Sequence, residues 1–403
     1  FGGGGVQRTV KFVKYLPEVG WQPVVLTVRQ DYAQVQDHSF GNDIPAGTPI
    51  WRTRALLLPR LLPWRLKNLI TSWLLLVDQQ LGWLPFAVRQ GLALARHQQV
   101  DAIYTTASPY TAHLVGLQLK RRTGLPWLAD FRDPWLGNFA HSFPTSLHER
   151  WAGRLERQVV ETADRVIVVS EPMREALLAR YANLSPHRVL TLPNGYDPAD
   201  MEGVEPLGHD PERMVIVYSG SFYGKQQTPF CFLQGLKDAI AAGHLPAGRV
   251  RVLFVGAMNR DIRQQVESMD LGGSIQVTGY VAHTQSVGYL HGADLLLLVV
   301  GSGPGSQAVL TGKIFEYLAA GKPILALAPP GAAANLVREA RAGVVVDPED
   351  VGAISAQIAL CYRDWERGVL GVTSVPQVVA RYDRRQLTAT LARSLDCATA
   401  PGA

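Results

Sequence analysis

Twelve short apolar runs, separated by amphipathic stretches, constrain this chain more than any other feature. The first half contains PVVLTV, PIWRTR, AIYTTA, WLADF, RVIVVS and VLTLPN, and the second half contains MVIVYSG, VRVLFVG, IQVTGYV, DLLLLVV, PILALA and GVVVD. Runs of this length that alternate with helical periodicity are typical of βαβ units with buried parallel strands. The pattern therefore predicts an α/β chain with two doubly wound sheets and ligand sites at the carboxyl ends of their strands.

The length of the chain favours two domains. Its 403 residues exceed the roughly 250 to 300 residues at which a single core stops growing. A stretch rich in Pro, Gly and acidic residues separates the halves and predicts a linker. We predict an N-terminal domain over 1–194, a linker over 195–213, a C-terminal domain over 214–373 and a helical tail over 374–403 that packs back on the N-terminal domain. Phe1 leads directly into a glycine run that normally follows a strand, so we expect the first strand to be missing.

Composition and charge narrow the class of protein. Hydrophobic residues make up 47% and charged residues 18%, which excludes a disordered or fibrous chain. The net charge of +5 favours anionic partners, but the basic residues are not clustered with aromatic ones, so we expect no nucleic-acid binding. Cys231, Cys361 and Cys397 lack disulfide or metal spacing, which predicts a reducing cytoplasm and no metal site. Neither a signal peptide nor a membrane-spanning run is predicted.

One basic and apolar stretch has two interpretations. Residues 56–76, LLLPRLLPWRLKNLITSWLLL, mix Leu and Trp with Arg and Lys. Such a segment can lie in a membrane interface, which an enzyme with a lipid-linked acceptor would need. It can equally be a helix packed on the domain core with its cations reaching solvent.

Glycine-rich turns before helices are candidate phosphate sites. Gly4 and Gly5 stand in the opening run, directly before an amphipathic stretch, where backbone N–H groups can face an anion. Gly220 ends a strand in the second half, and Lys225 follows within the reach of a short loop. A lysine at such a turn can neutralise a diphosphate. The alternative for Lys225 is a solvated surface lysine.

The strongest local signal is GSGPGSQAVLTGKIFEYLAAGKPILAL, which reads as a glycine-rich loop, a helix and a buried strand. We predict that Thr311 caps the helix and that Lys313 lies at its start, where a cation and backbone donors meet phosphate oxygens. Glu316 follows one turn later and can accept hydrogen bonds from both hydroxyls of a ribose. Its alternative role is to stabilise the helix dipole.

Charged residues also follow a predicted central strand in the first half. The sequence PWLADFRDPW places Asp130, Arg132 and Asp133 at its carboxyl end, where charges usually mark a cleft. We predict a functional role for Arg132 and Asp133, the alternative being an ion pair of Arg132 that fixes the next loop. His113 lies on a helical pattern, and we expect it to pack rather than to catalyse.

Together these segments resemble the GT-B glycosyltransferases, and specifically glycosyltransferase family 4. The resemblance is carried by GGGGVQRTVKFVKYLPEVGWQPVVLT, ADFRDPW, VIVVSEPM, LPNGYD, YSGSFYGK, TGKIFEYLAAGKPILAL and GAAANLVREARAGVVV, and it spans nearly the whole chain. It implies two Rossmann-like domains facing a cleft, the first holding the acceptor and the second a nucleoside diphosphate sugar. It also implies transfer with retention, without a metal or a cofactor other than the donor co-substrate.

The resemblance implies donor-site roles for Gly220, Lys225, Lys313 and Glu316, and a role for Asp133 or Arg132 in orienting acceptor or sugar. We predict that Gly4, Gly5 and Thr311 also bind the donor. Glu316 matches the second glutamate of the EX7E pair of the family. Ala308 stands where the first glutamate is expected, and Ser221 replaces an arginine. A bacterial surface polysaccharide or glycolipid pathway, at the inner face of the cell membrane, is the expected setting. A GT-B nucleotide-sugar epimerase and a catalytically silent nucleotide-sugar-binding subunit stay open as alternatives.

Overall fold

A computed structural model describes residues 4–29, 37, 39–56, 77–138, 143–222, 227–269, 271, 273–303 and 305–400. The chain forms two compact units. The first comprises Phe1–Pro193 with Arg385–Ala403, and the second comprises Asn194–Arg384. The stretch predicted as a linker, 195–213, therefore belongs to the second unit, as do residues 374–384 of the predicted tail.

In the described part of the first unit, the strands are all parallel and form two sheets. They are β1 (Val25–Val28), β2 (Ile50–Thr53), β3 (Ile103–Ala107), β4 (Trp127–Phe131), β5 (Arg165–Val168) and β6 (Val189–Thr191). Strand β1 pairs with β2, and the other four pair in the order β3-β4-β5-β6. Strand β4 is buried along its whole length, as its near-continuous apolar run predicts.

The helices of this unit follow the predicted alternation. They are α1 (Gly4–Tyr15), α2 (Leu84–His97), α3 (Thr111–Thr123), α4 (Ser146–Thr162) and α5 (Glu171–Arg180), and the last helix of the chain returns to the same unit. Thr145 caps α4 by accepting a hydrogen bond from the His148 N–H. Gly124 ends α3 in the left-handed conformation that glycine tolerates best.

The strands described in the second unit form one six-stranded parallel sheet. Its strands are β7 (Met214–Ser219), β8 (Val250–Val255), β9 (Ile275–Gly279), β10 (Leu295–Val299), β11 (Ile324–Leu327) and β12 (Gly343–Val346), in the order β12-β11-β10-β7-β8-β9. Its helices are α6 (Pro198–Met201), α7 (Phe230–Ala241), α8 (Arg260–Ser268), α9 (His283–Gly292), α10 (Lys313–Ala320), α11 (Ala332–Glu339), α12 (Val351–Glu366) and α13 (Pro376–Ala380). Each of the twelve predicted runs thus contains a strand, and the predicted α/β class is confirmed.

Apolar clusters cover both faces of the six-stranded sheet. Ile216, Tyr218 and Phe254 point into one cluster, whereas Val215, Val217 and Leu253 point into the other. This follows from the two-residue period of a strand, because successive side chains alternate between faces. The strand order changes direction beside β7, and ligands of open α/β sheets bind at such points.

The predicted linker is more ordered than the sequence suggested. It contains α6, and Leu207 packs against α9 where Gly288 and Gly292 leave room for it. A Cβ at Gly292 would lie 2.0 Å from the Leu207 carbonyl oxygen, so the close approach requires glycine. The Pro- and Gly-rich composition indicated a turn but could not show that these residues pack against the second unit.

The predicted tail divides between the units. Helix α14 (Arg384–Thr399) is separated from α13, and Leu387, Leu391 and Leu395 pack with Phe12 and Leu128 in the core of the first unit. Their spacing of four residues places the leucines on one face of the helix. Among the described residues, no helix is both long enough and apolar enough to cross a membrane.

Candidate active site

Gly220 and Gly256 stand where β7 and β8 end side by side. Gly220 has φ +116° and donates its N–H to the Val255 carbonyl over 2.7 Å. Gly256 has φ +143°, and a Cβ there would lie 2.4 Å from the Gly220 carbonyl oxygen. Both positions require glycine for backbone reasons, and they leave an open edge free of bulky side chains.

Lys313 covers this edge from the first turn of α10. Its Nζ lies 3.8 Å from the centroid of the Tyr218 ring and 2.9 Å from the position that a Cβ on Gly220 would take. Desolvation lowers the pKa of Lys313 to about 7, although the charge of Glu316 opposes this shift. An ammonium group against an aromatic face is a favourable cation–π contact, and a nearby anion would favour its protonated form.

Glu316 lies one turn further along α10 and is held by a histidine. Its Oε1 is 2.8 Å from Nε2 of His283, the first residue of α9. His283 Nδ1 is in turn 3.8 Å from Asp200 Oδ2 on α6. The structure therefore brings Gly220, Lys313 and Glu316 to one edge, whereas His283 was not identified from the sequence.

Thr311 does not cap α10 as predicted. The residue before the helix is Gly312, which has no side chain that could cap it. The Thr311 Oγ1 is buried and has no hydrogen-bond partner among the described residues. The first turn is tightened instead by N–H groups of Ile314 and Phe315 that bond to the carbonyls of Thr311 and Gly312. The predicted cap is therefore wrong, and the role of Thr311 in binding the donor stays a prediction.

Two further predictions lie outside the described residues. Lys225 falls within 223–226, and the basic apolar stretch falls within 57–76 apart from Leu56, which is exposed. Ala308 ends a short helical turn over Ser306–Ala308 and offers no carboxylate. The expected first glutamate of the EX7E pair therefore has no counterpart at that position.

Arg132 of the first unit binds backbone carbonyls. Its guanidinium donates to the carbonyl oxygens of Gly5, Ala107 and Ser108, so it ties the start of α1 to the ends of β3 and β4. A Cβ on Gly5 would lie 2.8 Å from Arg132 Nη1, at the flexible end of that side chain. Gly4 begins the helix. The ion pair considered as the structural alternative is replaced by these carbonyl contacts.

Asp133 keeps a carboxylate beside this network. Desolvation raises the pKa of Asp133 above its ordinary value, although Arg132 and the Ser108 hydroxyl oppose the shift. The Ser108 Oγ donates to Asp133 Oδ2 over 3.4 Å. A carboxylate with a raised pKa can accept a proton more readily than an ordinary aspartate, which suits a group near a reacting hydroxyl.

A buried ion pair between Arg8 and Asp130 was not predicted from the sequence. Arg8 donates to both carboxylate oxygens of Asp130 over 2.7 and 3.0 Å, and Tyr104 donates its hydroxyl to the same carboxylate. Burial alone would raise the pKa of Asp130, but Arg8 and Tyr104 outweigh it and hold the pKa below its ordinary value. Arg8 shares a helix face with Phe12 and Tyr15, and a cation on an apolar face was the signal that could have found it.

His113 packs as expected. It is fully buried, its Nδ1 lies 2.8 Å from Thr105 Oγ1, and its ring lies 4.4 Å from that of Phe131. Burial lowers the pKa of His113 to about 3, so the ring is neutral at physiological pH.

Two family descriptions match the chain. Residues 2–200 match Glycosyltransferase Family 4, and residues 213–364 match Glycosyl transferases group 1. Over 128 residues the chain is 26% identical to a 2-deoxystreptamine N-acetyl-D-glucosaminyltransferase of Niallia circulans, which covers 32% of this chain and 31% of that protein. Over 125 residues it is 33% identical to an alpha-maltose-1-phosphate synthase of Mycolicibacterium smegmatis, covering 28% and 30%. The chain thus spans about a third of the length of these curated relatives.

Solved structures match over nearly the full length. A sucrose-phosphate synthase from Thermosynechococcus elongatus has a TM-score of 0.70 at 19% identity, covering 98% of this chain and 94% of that one. Anabaena HepE in complex with UDP-glucose has a TM-score of 0.63 at 17% identity, covering 98% and 97%. The structural similarity establishes the fold, and the family matches establish the family. The chain belongs to the glycosyltransferases of GT-B fold, in family 4 and group 1.

Proposed function

We propose that this protein transfers a sugar from a nucleoside diphosphate sugar to an acceptor hydroxyl with retention of configuration, and that the second unit binds the donor. The observation that carries the proposal is the convergence of Gly220, Lys313 and Glu316 at the carboxyl edge of β7. The glycine edge leaves room for the donor, the Lys313 ammonium group can bind its diphosphate, and the Glu316 carboxylate can bind its ribose hydroxyls.

In this proposal Lys313 receives the diphosphate. Developing negative charge on the leaving diphosphate is stabilised by the ammonium group and by the positive end of α10, which is the main electrostatic task of the reaction. Lys225 is proposed as a second cation. The reaction needs no metal, so we expect turnover to persist in EDTA.

Glu316 is proposed to accept hydrogen bonds from the ribose hydroxyls. The buried Thr311 hydroxyl, which has no partner in the described part of the chain, is proposed to contact the donor as well. A buried polar group without a partner costs free energy, and a ligand hydroxyl that satisfies it gains affinity.

The first unit is proposed to supply acceptor contacts. Asp133, with its raised pKa, orients the acceptor hydroxyl or the sugar, and Arg132 holds the backbone around it through its carbonyl contacts. Gly4 and Gly5, at the start of α1, are proposed to present backbone N–H groups to a phosphate. The match to Anabaena HepE, whose structures contain UDP and UDP-glucose, supports a nucleotide-sugar donor.

The acceptor is proposed to be a glycan or a lipid-linked sugar in surface polysaccharide or glycolipid synthesis, used in the cytoplasm at the inner face of the membrane. Residues 56–76 would supply the contact with anionic lipid. Flotation with anionic liposomes tests this, using a variant in which Arg60, Arg65 and Lys67 are neutralised. Equal flotation of variant and wild type would remove the electrostatic argument.

The donor site is tested by thermal shift with UDP, ADP, GDP and their glucose conjugates. Selective stabilisation by one nucleotide is expected, because a ligand that binds only the folded state stabilises it by mass action. Glu316→Ala and Lys313→Met should each weaken the shift, measured from the melting temperature of the same variant without ligand. Unchanged shifts in both variants would contradict the assignment of this edge.

A further inference from the structure

His283 lies between two carboxylates that come from different elements of the second unit. Its Nε2 is 2.8 Å from Glu316 Oε1 on α10, and its Nδ1 is 3.8 Å from Asp200 Oδ2 on α6. The three side chains are 10%, 12% and 17% exposed for His283, Glu316 and Asp200. Such shielding from solvent makes the two contacts stronger than those of an exposed surface pair.

The chemistry of the pair fixes its direction. With Glu316 ionised, its carboxylate only accepts hydrogen bonds, so the Nε2–H of His283 donates a hydrogen bond to Glu316 Oε1. A carboxylate offers about four acceptor positions, and His283 occupies one of them. The contact with His283 therefore helps to hold the Glu316 carboxylate in one orientation before any ligand arrives.

A second contact places the start of α9 against the same edge. Ser286, one turn after His283, has its Oγ 2.8 Å from the Oγ of Ser219, the last residue of β7. Helix α9 thus presents two polar side chains in succession, one to the strand end beside Gly220 and one to Glu316. A histidine used only for packing would need neither a carboxylate partner nor this placement.

We propose that His283 is a positioning residue that preorganises Glu316 for recognition of the ribose hydroxyls of the nucleotide. The inference rests on the proposed function of Glu316. Holding a rotamer-rich side chain in its binding orientation avoids an ordering cost at the moment of binding, and this cost corresponds to about threefold to tenfold in affinity. His283 itself need not touch the ligand.

The two amide residues give a matched pair of variants. In His283→Gln the amide nitrogen occupies the position of Nε2 and can still donate to Glu316. In His283→Asn the amide group reaches only the position of Nδ1, on the side of Asp200. His291 lies on the same helix with its Nδ1 3.4 Å from the Val204 carbonyl oxygen, so His291→Ala controls for loss of a histidine from α9.

The measurement is calorimetric affinity for UDP, ADP and GDP, each compared with its 2′,3′-dideoxy form. His283→Asn should lower the preference for the ribose form by about threefold to tenfold while affinity for the dideoxy form stays within about twofold. His283→Gln should retain most of the preference, and His291→Ala all of it. Combining His283→Asn with Glu316→Ala should cost no more than Glu316→Ala alone.

Two results separate this inference from the proposed function. If Glu316→Ala abolishes the ribose preference but His283→Asn leaves it unchanged, or weakens both ligand forms equally, the positioning role is wrong and the donor site stands. If Glu316→Ala itself leaves the preference unchanged, the ribose assignment fails and the inference fails with it. Melting temperatures of all variants identify any that are misfolded. If His283→Asn is misfolded, His283→Gln is used alone, and loss of the preference for the ribose form in that variant overturns the inference.

Discussion

Raising the pH from 6 to 8.5 should weaken binding of the donor because Lys313 loses its proton in this interval. Desolvation lowers the pKa of Lys313 to about 7 in the free protein. The phosphates of a nucleotide sugar carry two negative charges throughout this range, so their binding favours the charged lysine. The affinity for the donor is therefore highest below the pKa of Lys313 in the free protein and falls as the pH rises through that pKa.

The size of this change in affinity depends on how far the bound ligand raises the pKa of Lys313 towards its ordinary value. If the bound diphosphate returns Lys313 to its ordinary value of 10.5, the affinity at pH 8.5 should be about thirtyfold lower than at pH 6. A factor of about thirty corresponds to about 2 kcal/mol of binding free energy. A partial return of the pKa gives a smaller ratio with the same sign.

The assay is calorimetric titration with UDP-glucose, or with the nucleotide sugar that the thermal-shift screen selects, at half-unit steps of pH. Lys313→Arg keeps its charge at every pH and should give an almost flat profile, whereas Lys313→Met should bind weakly and also give a flat profile. Lys237→Met removes an exposed lysine of the same unit and should leave the wild-type slope. A wild-type profile as flat as that of Lys313→Arg would refute the reasoning.

Two stability changes follow from other contacts. Asp130→Asn removes the carboxylate charge that pairs with the buried Arg8 guanidinium and should lower the free energy of unfolding by about 3 to 5 kcal/mol in urea titrations. Gly256→Ala places a Cβ 2.4 Å from the Gly220 carbonyl oxygen in a residue with φ +143°, and should cost about 1 to 3 kcal/mol in the same assay.

Each of these predictions has a control within the chain. Glu267→Gln breaks an exposed ion pair with Arg263 and should cost less than about 1 kcal/mol. Gly248→Ala adds a methyl group where no atom lies within 4 Å and should be nearly neutral. A cost for Asp130→Asn no larger than that for Glu267→Gln would contradict the buried pair.

The sequence predicts the strands well because their signal is local. Each buried strand is a continuous apolar run, so β4 and β10 are recognisable from five residues. The position of Lys313 at the start of α10 was also readable, since glycines precede it. The Thr311 cap was wrong because the helix begins one residue later, after Gly312, and the choice between adjacent candidates depends on backbone dihedrals that composition does not encode.

Contacts between distant segments could not be predicted. His283 meets Glu316 across 33 residues, and Arg8 meets Asp130 across 122, and no periodic pattern links such positions. In both pairs the sequence drew attention to the carboxylate, Asp130 or Glu316. The residue that each carboxylate contacts depends on the strand order, which the sequence does not state. The function of Arg132 was interpreted from its position at a strand end, whereas its carbonyl contacts emerge only when three segments are brought together.

The return of α14 to the first unit has a consequence for synthesis on the ribosome. Domains usually fold in the order in which they emerge, yet Leu387, Leu391 and Leu395 belong to the core that contains Phe12. The apolar face that these leucines cover stays exposed until the whole second unit has been made. The unit that begins first is therefore completed last, and a nascent chain arrested before residue 385 should be the species most in need of a chaperone.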